Sequence, residues 1–185
     1  GRPDRSSYAG FSMDDFIRGM DSPWKKRIAP EVVRLCLGLR KGAATVADIG
    51  GAPGTIAREF AGRGLATLIY DLKESNDVMR KELSRVKNIS VMDGDATKSF
   101  PAGTFDIVFL GNLCHGQSPA DNAKMFRMAR ERLSVGGMIA VFDNLKNENH
   151  RSATLALHMI TQSPLGNVYT RVEYLGWLRD AGFRK

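Results

Sequence analysis

Three sets of residues in this sequence could do chemistry. His115 lies within "FLGNLCHGQSPAD" (Phe109 to Asp121), between an apolar run and a helix start, and is one of three histidines in the chain. An imidazole there could be a proton acceptor, a ligand, or a loop residue with no chemical part. "VADIGGAPG" (Val46 to Gly54) spaces Gly50, Ala52 and Gly54 as GxAxG, with Asp48 just before them. Glycines after a strand let the backbone pass close to a ligand. The helix they open adds unpaired N–H groups and a positive dipole end. Two acids follow: Asp71 in "LATLIYDL", and Asp95 beside Ala96 in "MDGDA". An acid about 20 residues after such a turn can accept hydrogen bonds from a ribose. An acid one strand later can accept an adenine amine while its small neighbour lies against the ring. The alternatives are structural: Asp71 as a cap of the next helix, and Asp95 with Gly94 as ordinary turn chemistry.

The elements that must position these residues alternate along the chain. "TVADIG", "LATLIYDL", "ISVMDGD", "FDIVFLGN" and "GGMIAVFDN" read as five short apolar strands. Between them lie helical patterns. "GTIAREFAGRG" ends on a glycine stop, and "ESNDVMRKELSRV" carries Met79, Leu83 and Val86 on one face. "SPADNAKMFRMARERL" opens with Ser118 as N-cap and Pro119 in the first helical position, with a stripe of Met125, Met128, Ala129 and Leu133. "RSATLALHMIT" reads as another helix, and "TRVEYLGWLRDAG" starts with a Thr170/Glu173 capping box. Ahead of the first strand, "MDDFIRGM" places Phe16, Ile17 and Met20 together, and "SPWKKRIAPEVVRLCLGL" is a helix that Pro30 should kink or split. The pattern predicts an α/β fold, a doubly wound Rossmann-like and mostly parallel sheet with helices on both faces. Residues 1–41 should form a polar tail and helices, and residues 42–185 the domain that carries the alternating sheet.

Composition sets the bounds. The chain has 185 residues, 43% hydrophobic and 25% charged, which suits one globular domain with a real core. Cys36 and Cys114 sit in apolar surroundings without metal-ligand spacing, so they read as free thiols in a reducing compartment, and no metal site is expected. No apolar run approaches the roughly 20 residues needed to span a bilayer, so no membrane partner and a cytoplasmic location are expected. The net charge of +7 could suit an anionic partner. However, the basic residues are spread over predicted helices with acids between them, as on a solvated helix face.

A dinucleotide fold shows GxGxxG. GxAxG with a preceding acid points instead to S-adenosylmethionine. Further stretches fall in a telling order: "DIGGAPG" (Asp48 to Gly54), "YDLK" (Tyr70 to Lys73), "GDA" (Gly94 to Ala96), "CHGQ" (Cys114 to Gln117), "VGGMIAVFD" (Val135 to Asp143) and "DAGF" (Asp180 to Phe183). With "FIRGM" (Phe16 to Met20) before them, they make the chain resemble the catalytic domain of class I S-adenosylmethionine-dependent methyltransferases. More narrowly, it is similar to the small-molecule O-methyltransferases, the group of caffeate, hydroxyneurosporene and acetylserotonin methyltransferases.

The resemblance implies S-adenosyl-L-methionine as cofactor and S-adenosyl-L-homocysteine as its product. The cofactor would be held by Asp48, Gly50, Gly51, Ala52, Gly54, Asp71, Leu72, Gly94, Asp95, Ala96, Gly111 and Asn112. It implies O-methylation of a hydroxyl or phenol on a small-molecule acceptor, with His115 as the base and Asp143 orienting it. Phe16, Met20, His158 and Met159 would line the acceptor pocket. The departures from the family pattern are specific. The acid after the family histidine is Gly116 here, the second orienting Glu falls at Val168, and a cofactor-contacting Lys falls at Gly111. Other readings are a non-catalytic cofactor-binding module, and a relative that uses the site for decarboxylation or hydroxylation. A nucleic-acid methyltransferase is disfavoured because "LGNLCHG" carries neither an Asn/Asp-Pro-Pro-aromatic run nor a Pro-Cys nucleophile. A nicotinamide oxidoreductase is disfavoured by the missing GxGxxG. Relatives carry a dimerisation domain before this region and two strands after it. The expectation is a fragment or a rearranged end, with an open sheet edge and homodimerisation as a consequence.

Overall fold

A computed structural model of the chain describes residues 12–146 and 167–184. Helices α1 (Met13–Met20) and α2 (Pro23–Leu39) precede an alternating series: β1 (Thr45–Ile49), α3 (Thr55–Gly62), β2 (Ala66–Asp71), α4 (Lys73–Leu83), β3 (Ile89–Asp93), β4 (Phe105–Gly111), a 3-10 turn at Cys114–Gly116, α5 (Pro119–Glu131), β5 (Leu133–Phe142) and α6 (Arg171–Asp180). The five strands are parallel, in the order β3-β2-β1-β4-β5. The chain winds outward from β1 in one direction and then, from β4, in the other. The crevice at the carboxyl ends of β1 and β4 is the switch point where such sheets bind ligands.

Alternation along the strands explains why both faces are covered. In β4, Ile107 and Phe109 join Ala29, Val33 and Cys36 of α2 and Phe60 of α3 in one cluster. Val108 and Leu110 join Met125 and Phe126 of α5 and Tyr174 of α6 in another. A third cluster packs Ile17 of α1 and Met79 and Leu83 of α4 against Ile69 of β2. β1 and β4, in the middle of the sheet, are apolar runs because neither face meets water.

Two sequence expectations need correction. Pro30 does not split its helix: α2 runs unbroken with Pro30 inside it. The proline is on the exposed side, where water can take the carbonyl its missing N–H leaves free, while Ala29 and Val33 hold the flanks in the core. Leu133 does not belong to the α5 stripe; it is the first residue of β5, because α5 ends at Glu131. The Ser118 cap and the Thr170/Glu173 capping box form as expected. Basic residues pair along their own helices, as Arg18 does with Asp14 and Arg63 with Glu59. Among the described residues no helix is long and apolar enough to cross a membrane.

Candidate functional site

The glycine turn joins β1 to α3, and its shape explains its residues. Gly54 is the N-cap of α3 at φ 88°, a left-handed conformation, and a Cβ there would lie 2.5 Å from Leu83. A Cβ on Gly51 would lie 2.7 Å from Cγ of Asp48. Asp48 therefore sits directly beneath the turn and is only 2% exposed. It lies below the start of α3, whose N-cap Gly54 has no side chain to cap with. Burial pushes its carboxyl up to about 7, against the opposing pull of the Lys25 charge. Asp48 thus braces the turn from below. The pocket wall lies above it.

That pocket is lined by Gly50, Asp71, Leu72, Gly94, Asp95 and Ala96 from the expected set, and by Tyr70, Thr97, Leu113 and Gln117, which the sequence did not single out. Asp71 does not cap α4, whose N-cap is Leu72. Its Oδ2 accepts the N–H of Ala52 at 3.0 Å and its Oδ1 that of Leu72 at 2.7 Å. Asp95 makes a turn as well as a wall, since its Oδ1 accepts the N–H and the hydroxyl of Thr97 at 2.9 and 2.7 Å. Gly111 and Asn112 lie off the wall. Gly111 is packed under the Phe109 ring, and the Asn112 N–H donates to the carbonyl of Phe142 at 2.7 Å.

His115 sits in the 3-10 turn after β4, two residues from the pocket residue Leu113. Its Nδ1 is 2.7 Å from Oδ1 of Asp143, and its main-chain N–H donates to Oδ2 at 3.1 Å. The Asp143 side chain is 1% exposed and that of His115 17%. A carboxylate partner puts the proton on Nδ1 and leaves Nε2 as the acceptor. Two further donors complete the carboxylate. The Asn144 N–H reaches Oδ1 at 2.8 Å, and the Tyr174 hydroxyl reaches Oδ2 at 3.2 Å. Burial and the Asp143 charge push the Tyr174 phenol well above its ordinary pKa, so it stays a donor. The turn is fixed from outside by Asn122, whose side chain donates to the Cys114 carbonyl at 3.0 Å, and by the Asn167 N–H on the His115 carbonyl at 2.9 Å.

Sequence reasoning missed Tyr174. The family's second acid falls at Val168, which is fully buried and apolar, and Tyr174 reaches the Asp143 carboxylate from α6. Its signal was faint: a hydroxyl-bearing aromatic on the buried side of a helix, which must find a polar partner. Phe16 is 37% exposed and Met20 half-buried on α1. His158 and Met159, with the helix expected around them, lie outside the described residues.

Comparison with known proteins bears on the fold and the family. A family model described as the O-methyltransferase domain matches residues 10–184. The tetracenomycin polyketide synthesis 8-O-methyl transferase TcmO of Streptomyces glaucescens is 28% identical over 145 residues, covering 74% of this chain and 42% of that protein. The acetylserotonin O-methyltransferase of Macaca mulatta is 26% identical over 151 residues, covering 77% of this chain and 43% of that protein. The chain thus spans less than half the length of these curated relatives. Among solved structures, a putative O-methyltransferase from Nostoc punctiforme superposes with a TM-score of 0.84 at 22% identity, covering 94% of this chain and 54% of that one. Human N-acetylserotonin methyltransferase, solved with S-adenosylmethionine, gives 0.80 at 20% identity, covering 94% of this chain and 50% of that one. The likeness to solved structures carries the fold, and the match across nearly the whole sequence carries the kinship: the chain belongs to the O-methyltransferase domain family.

Proposed function

We propose that this domain binds S-adenosylmethionine in the pocket at the ends of β1 to β3 and methylates a hydroxyl or phenol of a small molecule held beside His115. The observation that carries the proposal is the His115–Asp143 pair, held two residues beyond a pocket whose acids suit a nucleoside. The residues fit the cofactor chemically. Asp71 presents a carboxylate for ribose hydroxyls, and Asp95 and Ala96 offer an acceptor and a small flat surface. When bound, the cofactor supplies a sulfonium methyl group.

The chain's own residues do the rest. His115 accepts the acceptor's hydroxyl proton at Nε2. Asp143 holds the ring through Nδ1 and stabilises the imidazolium that forms. Tyr174 and two main-chain N–H groups keep that carboxylate aimed. The remaining contribution is positioning, which brings nucleophile and electrophile into line. The relatives' names support the reading, since acetylserotonin and tetracenomycin transferases act through oxygen.

Asp71→Ala tests the cofactor assignment. Calorimetry should show S-adenosylhomocysteine binding weakened by about 1–3 kcal/mol, the scale of a lost partner at a hydrogen-bonding site. Tighter binding of NAD than of S-adenosylhomocysteine by the unaltered chain would sink the assignment.

A further inference from the structure

Tyr169 touches both chain segments that carry the His115–Asp143 pair. It lies just ahead of α6, is 2% exposed, and its hydroxyl donates to the main-chain carbonyl of Gln117 at 2.6 Å. Its own carbonyl accepts the N–H of Lys146, three residues after Asp143, at 2.9 Å. Two residues earlier on the same strap, Asn167 donates its N–H to the His115 carbonyl. The Tyr169 ring packs edge-on against Trp177, with centroids 4.9 Å apart, and against Tyr174 at 6.3 Å. Tyr174 in turn donates to Asp143.

A buried phenol needs a polar partner, and any carbonyl would satisfy it. The one it meets matters by its place. Gln117 closes the 3-10 turn, its N–H donating to the Cys114 carbonyl at 3.1 Å, and it lines the pocket. At the entrance to the turn, the Asn112 N–H ties the end of β4 to the Phe142 carbonyl of β5. At the exit no strand continues, and Pro119 opens α5 without an N–H of its own. The Tyr169 hydroxyl supplies a tie at that end. Burial, and then the Glu173 charge, push its pKa up to about 12, so it stays a donor wherever an imidazole can accept a proton.

We propose that Tyr169 is a positioning residue: by tying the exit of the His115 turn to the strap that also holds the chain leaving Asp143, it keeps the imidazole in register with the carboxylate, Nδ1 on Oδ1 and Nε2 open to the acceptor. The inference rests on the reading of this pair as base and orienting acid. The part differs from that of Tyr174, which bonds the carboxylate itself.

Tyr169→Phe removes one oxygen and keeps the ring in its aromatic surroundings. Nitrogen NMR of the whole chain with labelled histidines reads the result on the ring itself, the His115 signals being those lost in His115→Ala. At alkaline pH the unaltered chain should show one protonated and one unprotonated His115 nitrogen. In Tyr169→Phe both signals should move toward the average of the two tautomers. Methyl transfer should fall by about 10–100-fold, as a misplacement on the order of 1 Å would make it, while S-adenosylhomocysteine affinity by calorimetry stays within about threefold. Tyr169→Met should give the same nitrogen signature if the phenylalanine variant does not fold. Unmoved nitrogen signals in a folded variant, whatever its urea midpoint, overturn the role and leave Tyr169 as packing. If the unaltered chain transfers no methyl group, the catalytic reading of the pair fails, and the nitrogen signals still decide whether Tyr169 holds the ring.

Discussion

His115→Ala should lower methyl transfer by about 10²–10⁴-fold, the usual range for a positioned acid–base group, and leave S-adenosylhomocysteine affinity within about twofold. The two halves separate because the imidazole is not on the pocket wall, while Leu113, two residues earlier, is. If the histidine merely shapes its turn, the variant should lose stability and keep its turnover. That outcome has a structural route, since the His115 main chain is bonded at both its N–H and its carbonyl. Alanine keeps those main-chain groups, so a loss of turnover in a folded variant isolates the ring. A second readout uses two acceptors of different acidity. A pH limb that stays in place for both belongs to the enzyme, whereas one that follows the acceptor belongs to a phenol that ionises unaided.

Asp143→Asn should be nearly as damaging, and should also destabilise the fold. Each carboxylate oxygen accepts a main-chain N–H: Oδ1 from Asn144 at 2.8 Å and Oδ2 from His115 at 3.1 Å. Whichever way an amide is placed, its NH₂ faces one of these donors. The buried mismatch should cost about 1–3 kcal/mol, read as a lower midpoint in urea unfolding. An amide nitrogen turned toward His115 also favours the wrong tautomer, and turnover should fall by about 10²–10⁴-fold, as with other orienting carboxylates. Tyr174→Phe removes one of four donors and leaves the carboxylate paired, so its effect should be much smaller. Unchanged stability together with unchanged turnover in Asp143→Asn would refute the orienting role.

The sequence reading worked where chemistry is local. Strand runs, the Ser118 cap, the Thr170/Glu173 box and the order of strand-end acids depend on neighbours within a few positions. The strand order β3-β2-β1-β4-β5 is not local: right-handed crossovers constrain it without fixing it. What escaped depends on distant pairs. The importance of Tyr174 arises from Asp143, 31 positions earlier. The resemblance marked the acid missing at Val168 but could not show Tyr174 on the Asp143 carboxylate. Asp48 escaped in a different sense. Its position before the glycines suggested a ligand contact, yet only the fold reveals Gly51 pressed against it.

The two main-chain bonds to Asp71 have a consequence for binding thermodynamics. A surface aspartate samples several rotamers, and a ligand that selects one must offset the entropy of freezing it. Here the N–H groups of Ala52 and Leu72 hold the carboxylate in one orientation as part of the folded turn. That ordering belongs to folding and not to association. On the proposed reading an arriving diol would meet an acceptor already at rest, so more of its hydrogen-bond enthalpy would survive as affinity. The same bonds make the acid a strut of the turn, so a substitution there should loosen the glycine backbone along with the proposed ligand contact.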